Sequence, residues 1–214
     1  MIIPAPMLPA ERRTPPFGEP CWIYEIKYQG WRLIAGVDQG RVTLITAQGA
    51  DATSRFPEIC AGLAMLPGGP HVLDGQACLL ERSAGGDSSR ARQQGERRRW
   101  YERADPAVFY AFDLLTLNGA PLIGTPLEWR KAKLAQLLTP PPPSVHLVES
   151  FDDDHARQLL DDAGEPRPEG LVAKRLGSLY RPGARTPDWV KVPAPKPLPR
   201  RGPASSHRGD NVAP

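Results

Sequence analysis

The sequence has little that could form a disulfide framework or a protein metal centre. Its three cysteines are an odd number without Cys-x-x-Cys spacing, which favours reduced thiols in a core over disulfides or zinc. Its four histidines are dispersed and lack the spacing of metal ligands. We therefore expect three reduced core thiols and no histidine metal site, the thiols being Cys21, Cys60 and Cys78.

Long apolar runs are also missing. No segment approaches the length that crosses a bilayer, so we expect no membrane partner. Residues 1–9 lack a basic segment and are interrupted by proline, which makes them a poor signal peptide. The 214 residues, 40% hydrophobic and 24% charged, are typical of a globular protein with one sizeable core. We expect a cytoplasmic protein.

Positive charge is modest overall but concentrated in one segment. The net charge of +3 does not by itself indicate a nucleic-acid partner. Six arginines nevertheless crowd residues 90–103, interleaved with glutamine and aromatic side chains. Such a run is either the solvated face of a helix or a surface that follows DNA phosphates by releasing counterions. Both interpretations stay open, and the second makes Arg97, Arg98 and Arg99 candidate DNA-binding residues.

Apolar periodicity predicts a chain rich in strands. The predicted strands cover residues 21–27, 31–37, 41–46, 71–80, 108–117, 171–174 and 189–192. The predicted helices cover residues 56–66, 127–138 and 152–163, and tight turns are expected at 38–40 and 118–119. We expect one folded domain over residues 21–192, preceded by an irregular arm over 1–20. Residues 193–214 are rich in proline and arginine and are expected to be disordered.

Three lysines stand in apolar, strand-like contexts. Lys27 lies in residues 24–32 (YEIKYQGWR), Lys174 ends residues 169–174 (EGLVAK), and Lys191 ends residues 188–191 (DWVK). Such contexts would half bury ammonium groups that are normally solvated. Clustered, half-buried cations need an anionic partner, for which phosphate is the obvious candidate. A lysine held neutral by nearby cations and by burial can also act as a nucleophile.

The order of these segments resembles the adenylation (nucleotidyltransferase) domain of ATP-dependent DNA ligases, especially the ligase part of bacterial end-joining ligases. The resemblance spans roughly residues 6–192. Residues 73–76 (LDGQ) are similar to the family's Asp-Gly-Glu segment, and residues 109–115 (FYAFDLL) to the strand whose aromatic residue packs on adenine. The resemblance implies an α+β, ATP-grasp-like fold with two mostly antiparallel sheets, helices outside them and a nucleotide cleft between them.

The resemblance also implies the chemistry. Lys27 would attack the α-phosphorus of ATP to form a lysyl-AMP, which then activates a DNA 5′-phosphate so that a break is sealed. The implied cofactors are ATP and Mg²⁺, with Glu169 as the metal ligand. The implied ATP-binding residues are Glu25, Arg32, Gln76, Phe112, Glu169, Lys174 and Lys191. Asp113 is either an anion near the site or a strand-end cap, and Trp189 is expected to be a packing residue.

The implied partner is nicked or broken duplex DNA. Arg181 and Arg185 are implied DNA contacts, together with the three arginines of the basic segment. Related ligases continue into an oligonucleotide-binding barrel, which residues 193–214 are too few to form. A separate clamp or end-joining protein is therefore an expected second partner.

Three positions depart from the family pattern. Gln29 replaces an aspartate, Gln76 replaces a glutamate and Ala47 replaces an arginine. An amide keeps hydrogen-bonding capacity but binds Mg²⁺ less strongly than a carboxylate. One alternative is therefore a weakened or catalytically silent DNA-binding module. A second is an RNA-ligase or capping-type nucleotidyltransferase, which uses the same lysine chemistry.

Overall fold

The described part of the chain contains two β-sheets, three α-helices and a short 3-10 helix (Thr53–Arg55). The computed structural model describes residues 2–79, 106–161 and 169–194. The helices are α1 (Pro57–Leu63), α2 (Leu127–Leu137) and α3 (Asp153–Asp161). The strands are β1 (Leu8–Glu11), β2 (Trp22–Ile26), β3 (Trp31–Asp38), β4 (Arg41–Thr46), β5 (His71–Leu79), β6 (Ala107–Leu117), β7 (Ala120–Pro121), β8 (Val145–Leu147), β9 (Gly170–Arg175) and β10 (Arg185–Pro193).

The sheets are mostly antiparallel. One has four strands in the order β1-β10-β9-β2, and the other runs β4-β3-β5-β6-β7 with β8 beside β6. Among the named strand pairs, only β1 with β10 and β6 with β8 are parallel. This arrangement confirms the predicted α+β class, and the predicted strands all recur with shifts of only a few residues at their ends.

Alternation along the strands produces three apolar layers. Side chains two residues apart share a face of the sheet. Leu171 and Ala173 of β9 thus pack with α3 on the outer face of the four-stranded sheet. The outer face of the six-stranded sheet packs against α1 and α2. Between the sheets lies a third cluster that includes Ile34, Phe112 and Trp189.

The N-terminal segment is more regular than the sequence predicts. Leu8–Glu11 forms β1, which pairs with β10 at the edge of the four-stranded sheet. Met7 is fully buried, and its N–H donates to the hydroxyl of Tyr180 at 2.9 Å. The pairing gives partners to backbone groups that an exposed edge of β10 would leave unpaired. The expectation of an irregular arm over residues 1–20 is therefore wrong for these four residues.

Two smaller expectations also change. Helix α1 begins at Pro57, where proline costs no intrahelical hydrogen bond, and it ends at Leu63, earlier than predicted. All three cysteines are free, but Cys21 is exposed and is not a core thiol.

No described helix is long and apolar enough to cross a membrane. The basic segment at 90–103 and the tail from residue 195 lie outside the described residues.

Candidate active site

The lysines of the three sequence motifs lie on adjacent strands of the four-stranded sheet. Lys174 is in β9 and Lys191 is in β10, while Lys27 directly follows β2. In each case the residue two positions earlier shares the lysine's face of the sheet. Those residues are Glu25, Val172 and Trp189, and they line the same cavity as the lysines. A common face thus brings together segments that are far apart in the sequence.

The cavity has a volume of about 160 Å³ and lies where the two sheets meet. Its lining comes from both sheets and from the segments that join them. The lining residues are Pro9, Glu25, Ile26, Lys27, Tyr28, Arg32, Gln76, Phe112, Val172, Lys174, Trp189 and Lys191. Of the residues predicted to bind ATP, all line this cavity except Glu169.

Each of the three lysines has a glutamate partner. The ion-pair distances from Nζ to the carboxylate oxygen are 2.8 Å for Lys27 with Glu169, 2.5 Å for Lys174 with Glu25, and 3.3 Å for Lys191 with Glu11. The side chains of Lys27 and Lys191 are both 41% exposed, which confirms the predicted half burial. The side chain of Lys174 is only 3% exposed, so it is buried more deeply than predicted.

Lys174 is a buried cation with spare hydrogen-bonding capacity. Its Nζ lies 4.1 Å from the ring centre of Phe112 and 4.3 Å from that of Trp189, and aromatic faces stabilise a cation. Although the ammonium group pairs with Glu25, it makes no well-aligned hydrogen bond to the described residues. Burial lowers the pKa of Lys174 to about 8, against the opposing effect of Glu25. An anion in the cavity would complete its coordination.

Glu25 has a second lysine partner that the sequence did not reveal. One carboxylate oxygen is 2.5 Å from Lys174, and the other accepts a hydrogen bond from Lys131 of α2, also at 2.5 Å. Burial opposes ionisation, but the two ammonium groups outweigh it and hold the pKa of Glu25 below its usual range. Glu25 lines the cavity as predicted, yet both of its oxygens are already engaged by lysines.

The opposite wall is organised by Arg32 of β3. Its Nε and Nη2 donate to the two oxygens of Asp74, each at 2.6 Å, and its guanidinium lies 4.5 Å from the ring centre of Phe112. Asp74 is fully buried and also accepts from the hydroxyl of Tyr180 at 2.7 Å. Arg32 therefore lines the cavity, as predicted, with one edge of its guanidinium committed to Asp74. Its role in ATP binding stays a prediction.

Three further side chains complete this wall. Gln76 pairs across strands with Arg32, so its amide faces the cavity beside the guanidinium. Phe112 is nearly buried and is contacted by both Arg32 and Lys174, so a base that stacks on it has to share the ring with these cations. Tyr28, which the sequence analysis did not single out, lines the cavity and stacks on Tyr110 with ring centres 4.0 Å apart.

Gly30 of the lysine segment has a steric role. Its φ is +152°, and a Cβ at this position would lie 2.0 Å from the backbone oxygen of Ala77 in β5. Only glycine fits such a close approach. The segment that carries Lys27 is thereby held directly against the six-stranded sheet.

Asp113 lies inside β6 and not at its end, so the strand-end cap is wrong, and Asp113 is a buried anion near enough to raise the pKa of Lys174. Its two oxygens accept from Nε and Nη2 of Arg130 at 2.8 and 2.9 Å, and both side chains are fully buried. Arg130 also donates to the backbone oxygen of Ser178 at 2.9 Å. The pair ties α2 to β6 and to the segment before β10. It lies outside the cavity lining.

Of the predicted DNA-binding arginines that the structure describes, neither Arg181 nor Arg185 lines the cavity. Arg181 is exposed, and Arg185 is exposed with its Nη1 donating to the backbone oxygen of Pro9. Arg97, Arg98 and Arg99 fall outside the described residues. The described residues contain no group of three histidine, cysteine, aspartate or glutamate side chains arranged to hold a metal ion.

Comparisons with known proteins all indicate the same family. The family model of the ATP-dependent DNA ligase domain matches residues 6–192 of this chain. The multifunctional non-homologous end joining DNA repair protein LigD of Mycobacterium tuberculosis is 33% identical over 187 residues, which are 87% of this chain and 23% of that protein. The corresponding LigD of Pseudomonas aeruginosa is also 33% identical, over 88% of this chain and 22% of that protein.

A solved structure is similar as well. The structure of mycobacterial DNA ligase D complexed with ATP and MES has a TM-score of 0.72 and 32% identity, covering 89% of this chain and 60% of that one. This chain spans less than a quarter of the two LigD relatives. Because the family model covers most of its length, the chain belongs to the ATP-dependent DNA ligase domain family.

Proposed function

We propose that this chain is a DNA ligase-type nucleotidyltransferase that takes AMP from ATP onto Lys27 and passes it to a DNA 5′-phosphate so that a break is sealed. The observation that carries the proposal is the convergence of Lys27, Lys174 and Lys191 on one cavity. A nucleophilic amine and two further cations around one space suit transfer to an amine from an anionic phosphate.

In the first step, the Nζ of Lys27 attacks the α-phosphorus of ATP. A phosphorus–nitrogen bond forms, the bond from phosphorus to the pyrophosphate oxygen breaks, and the amine loses a proton. In its ion pair with Glu169, 2.8 Å away, Lys27 is an ammonium group without a lone pair, so it must first give up a proton to solvent and leave this carboxylate, which would then be free to hold the metal. Lys174 and Lys191 would stabilise the charge on the phosphoryl oxygens.

A magnesium ion fits this site as a companion of the nucleotide. Mg²⁺ is usually held by one or two carboxylates together with substrate phosphates and retained waters. Glu25 is fully engaged by two lysines, whereas Glu169 pairs with Lys27 alone and is partly exposed, and Glu169 is the carboxylate proposed to hold the metal. When bound, the ion would neutralise phosphate charge and polarise the phosphoryl group.

DNA is the proposed substrate, and the protein is proposed to act in the cytoplasm. The relatives are an end-joining DNA repair protein and a DNA ligase, which supports DNA over the RNA-ligase and capping-type alternative. Residues 90–103 are proposed to follow DNA phosphates, together with Arg181 and Arg185. We also propose that a separate clamp or end-joining protein completes the enclosure of DNA.

The test of the proposed function is covalent labelling. With Mg²⁺ and ATP labelled on the α-phosphate, the protein is expected to retain label through an acid-labile bond, and peptide mapping should assign it to Lys27. Gln29→Asp with Gln76→Glu restores two carboxylates and should raise the labelling rate if metal-assisted transfer is limiting. If neither protein takes up label, the enzymatic proposal is wrong and the silent DNA-binding module becomes the better description.

A separate prediction concerns DNA. Arg181→Ala is expected to weaken binding to nicked duplex and to reduce the slope of log K against log salt by about 0.9, the value for one lost phosphate contact. Binding measured by fluorescence anisotropy at several salt concentrations gives this slope. Arg41→Ala, which removes another exposed arginine away from the cavity lining, is the matched control. Equal slopes in the two variants would exclude Arg181 from the DNA contact.

A further inference from the structure

A buried triad of two lysines and one glutamate lies behind the cavity. Glu25 separates Lys131 from Lys174, with one carboxylate oxygen at 2.5 Å from each ammonium nitrogen. The side chains of Lys131, Glu25 and Lys174 are 13%, 3% and 3% exposed, so water screens these charges little. Lys174 lines the cavity, whereas Lys131 does not.

The charges of this triad do not cancel. Two ammonium groups share one carboxylate, which leaves a net charge of +1 in a poorly solvated place. A buried excess charge is costly unless a partner of opposite sign arrives. Among the three groups, only Lys174 and Glu25 reach the cavity, and Lys174 has N–H groups without a well-aligned acceptor. The uncompensated positive charge is therefore presented to the cavity through Lys174.

We propose that Lys131 is a positioning residue for nucleotide binding: by holding one oxygen of Glu25, it prevents that carboxylate from neutralising Lys174 and so keeps Lys174 available to a phosphate group. The proposal rests on the proposed function for the identity of the ligand. Without Lys131, Glu25 and Lys174 would form a closed neutral pair with less attraction for an anion.

The electrostatic surroundings of Lys174 give this proposal a measurable sign. The pKa of Lys174 lies near 8, lowered first by burial and also by Lys131, and raised by Glu25 and Asp113. Removing Lys131 should therefore raise the pKa of Lys174, so that Lys174 keeps its proton to higher pH. Other charged groups that line the same cavity, and that the test leaves in place, are Lys27, Arg32 and Lys191.

The test compares Lys131→Met and Lys131→Arg with the native protein. Lys133→Met, a change at an exposed lysine of the same helix, is the control. The titration of Lys174 is followed in the ligand-free protein by NMR of isotope-labelled lysine side chains, with the signal assigned from Lys174→Arg. Binding of Mg²⁺ and an ATP analogue with a non-cleavable α,β bridge is measured by calorimetry on both sides of pH 8.

Lys131→Met is expected to move the titration of Lys174 to higher pH and to weaken analogue binding at pH 7 by about tenfold, the effect of one partly screened charge. The loss of affinity with rising pH should also begin at higher pH. Lys131→Arg keeps the charge and should leave both properties near their native values, as should Lys133→Met.

If the titration of Lys174 is unchanged in Lys131→Met, the proposal is wrong. A residue that acts only by packing would change the stability of the protein and leave the titration of Lys174 as it is. If Lys131→Met fails to fold, Lys131→Arg carries the test, and a displaced titration in that variant contradicts the charge argument. The titration of Lys174 is measured without nucleotide, so its outcome does not depend on the proposed function. Failure of the proposed function is recognised separately, by the absence of label on Lys27 of the native protein.

Discussion

Lys27→Arg is expected to lower covalent labelling by ATP by more than about 1,000-fold, as removal of a catalytic nucleophile does elsewhere. The guanidinium stays protonated and has no lone pair to attack phosphorus. It still carries the positive charge that faces Glu169 at the rim, so nucleotide affinity should stay within a fewfold of native. Labelling with ATP labelled on the α-phosphate measures the first quantity, and calorimetry measures the second.

Lys133→Arg is the matched control for this variant. Lys133 is exposed on α2 and is not part of the cavity lining, so its replacement should leave labelling unchanged. If Lys27→Arg takes up label at the native rate, another residue is the nucleophile. Peptide mapping of that label would then identify it, and Lys27 would be reassigned to phosphate binding.

The second large effect is on stability. Asp113→Ala is expected to lower the free energy of unfolding by about 4 kcal/mol, because it leaves the guanidinium of Arg130 buried without its counter-ion. Both side chains are fully buried, so water cannot take the place of the lost carboxylate. Urea unfolding followed by circular dichroism measures the change.

Two further variants separate the charge effect from simple loss of volume. Asp161→Ala, at an exposed aspartate at the end of α3, should change the free energy of unfolding by less than about 0.5 kcal/mol. Replacing both partners, with Asp113→Leu and Arg130→Met, should recover much of the stability that Asp113→Ala loses, since no unpaired charge remains. If the free energy of unfolding of Asp113→Ala lies within about 1 kcal/mol of the native value, the ion pair is dispensable.

Much of the framework could be predicted from the sequence because its signals are local. Strand alternation located β4 without error at either end and most other strands to within a few residues. The turns at Gln39 and Asn118 use positive φ angles next to glycine, which is a short-range signal as well. The strand-like contexts of Lys27, Lys174 and Lys191 also predicted a cluster of lysines, and all three line the cavity.

The partners of the site residues could not be predicted in this way. No local sequence pattern indicates the contact of Lys131 with Glu25 or that of Arg130 with Asp113. Each contact joins a helix to a strand through the long side chain of the helix residue. Strand β1 was missed for a similar reason. Its regularity comes from pairing with β10, far away in the sequence, and its proline-rich composition predicts the opposite.

The glutamate partners of Lys27 and Lys191 have a consequence for selectivity. An anion that binds these two lysines must exchange against Glu169 and Glu11, which are tethered to the same chain and therefore act at high effective concentration. A small anion such as chloride can replace only one of them and gains little from the exchange. A nucleotide carries several phosphates on one molecule and can replace more than one carboxylate in a single binding event. We therefore expect the cavity to bind a polyphosphate in preference to the abundant small anions of its surroundings.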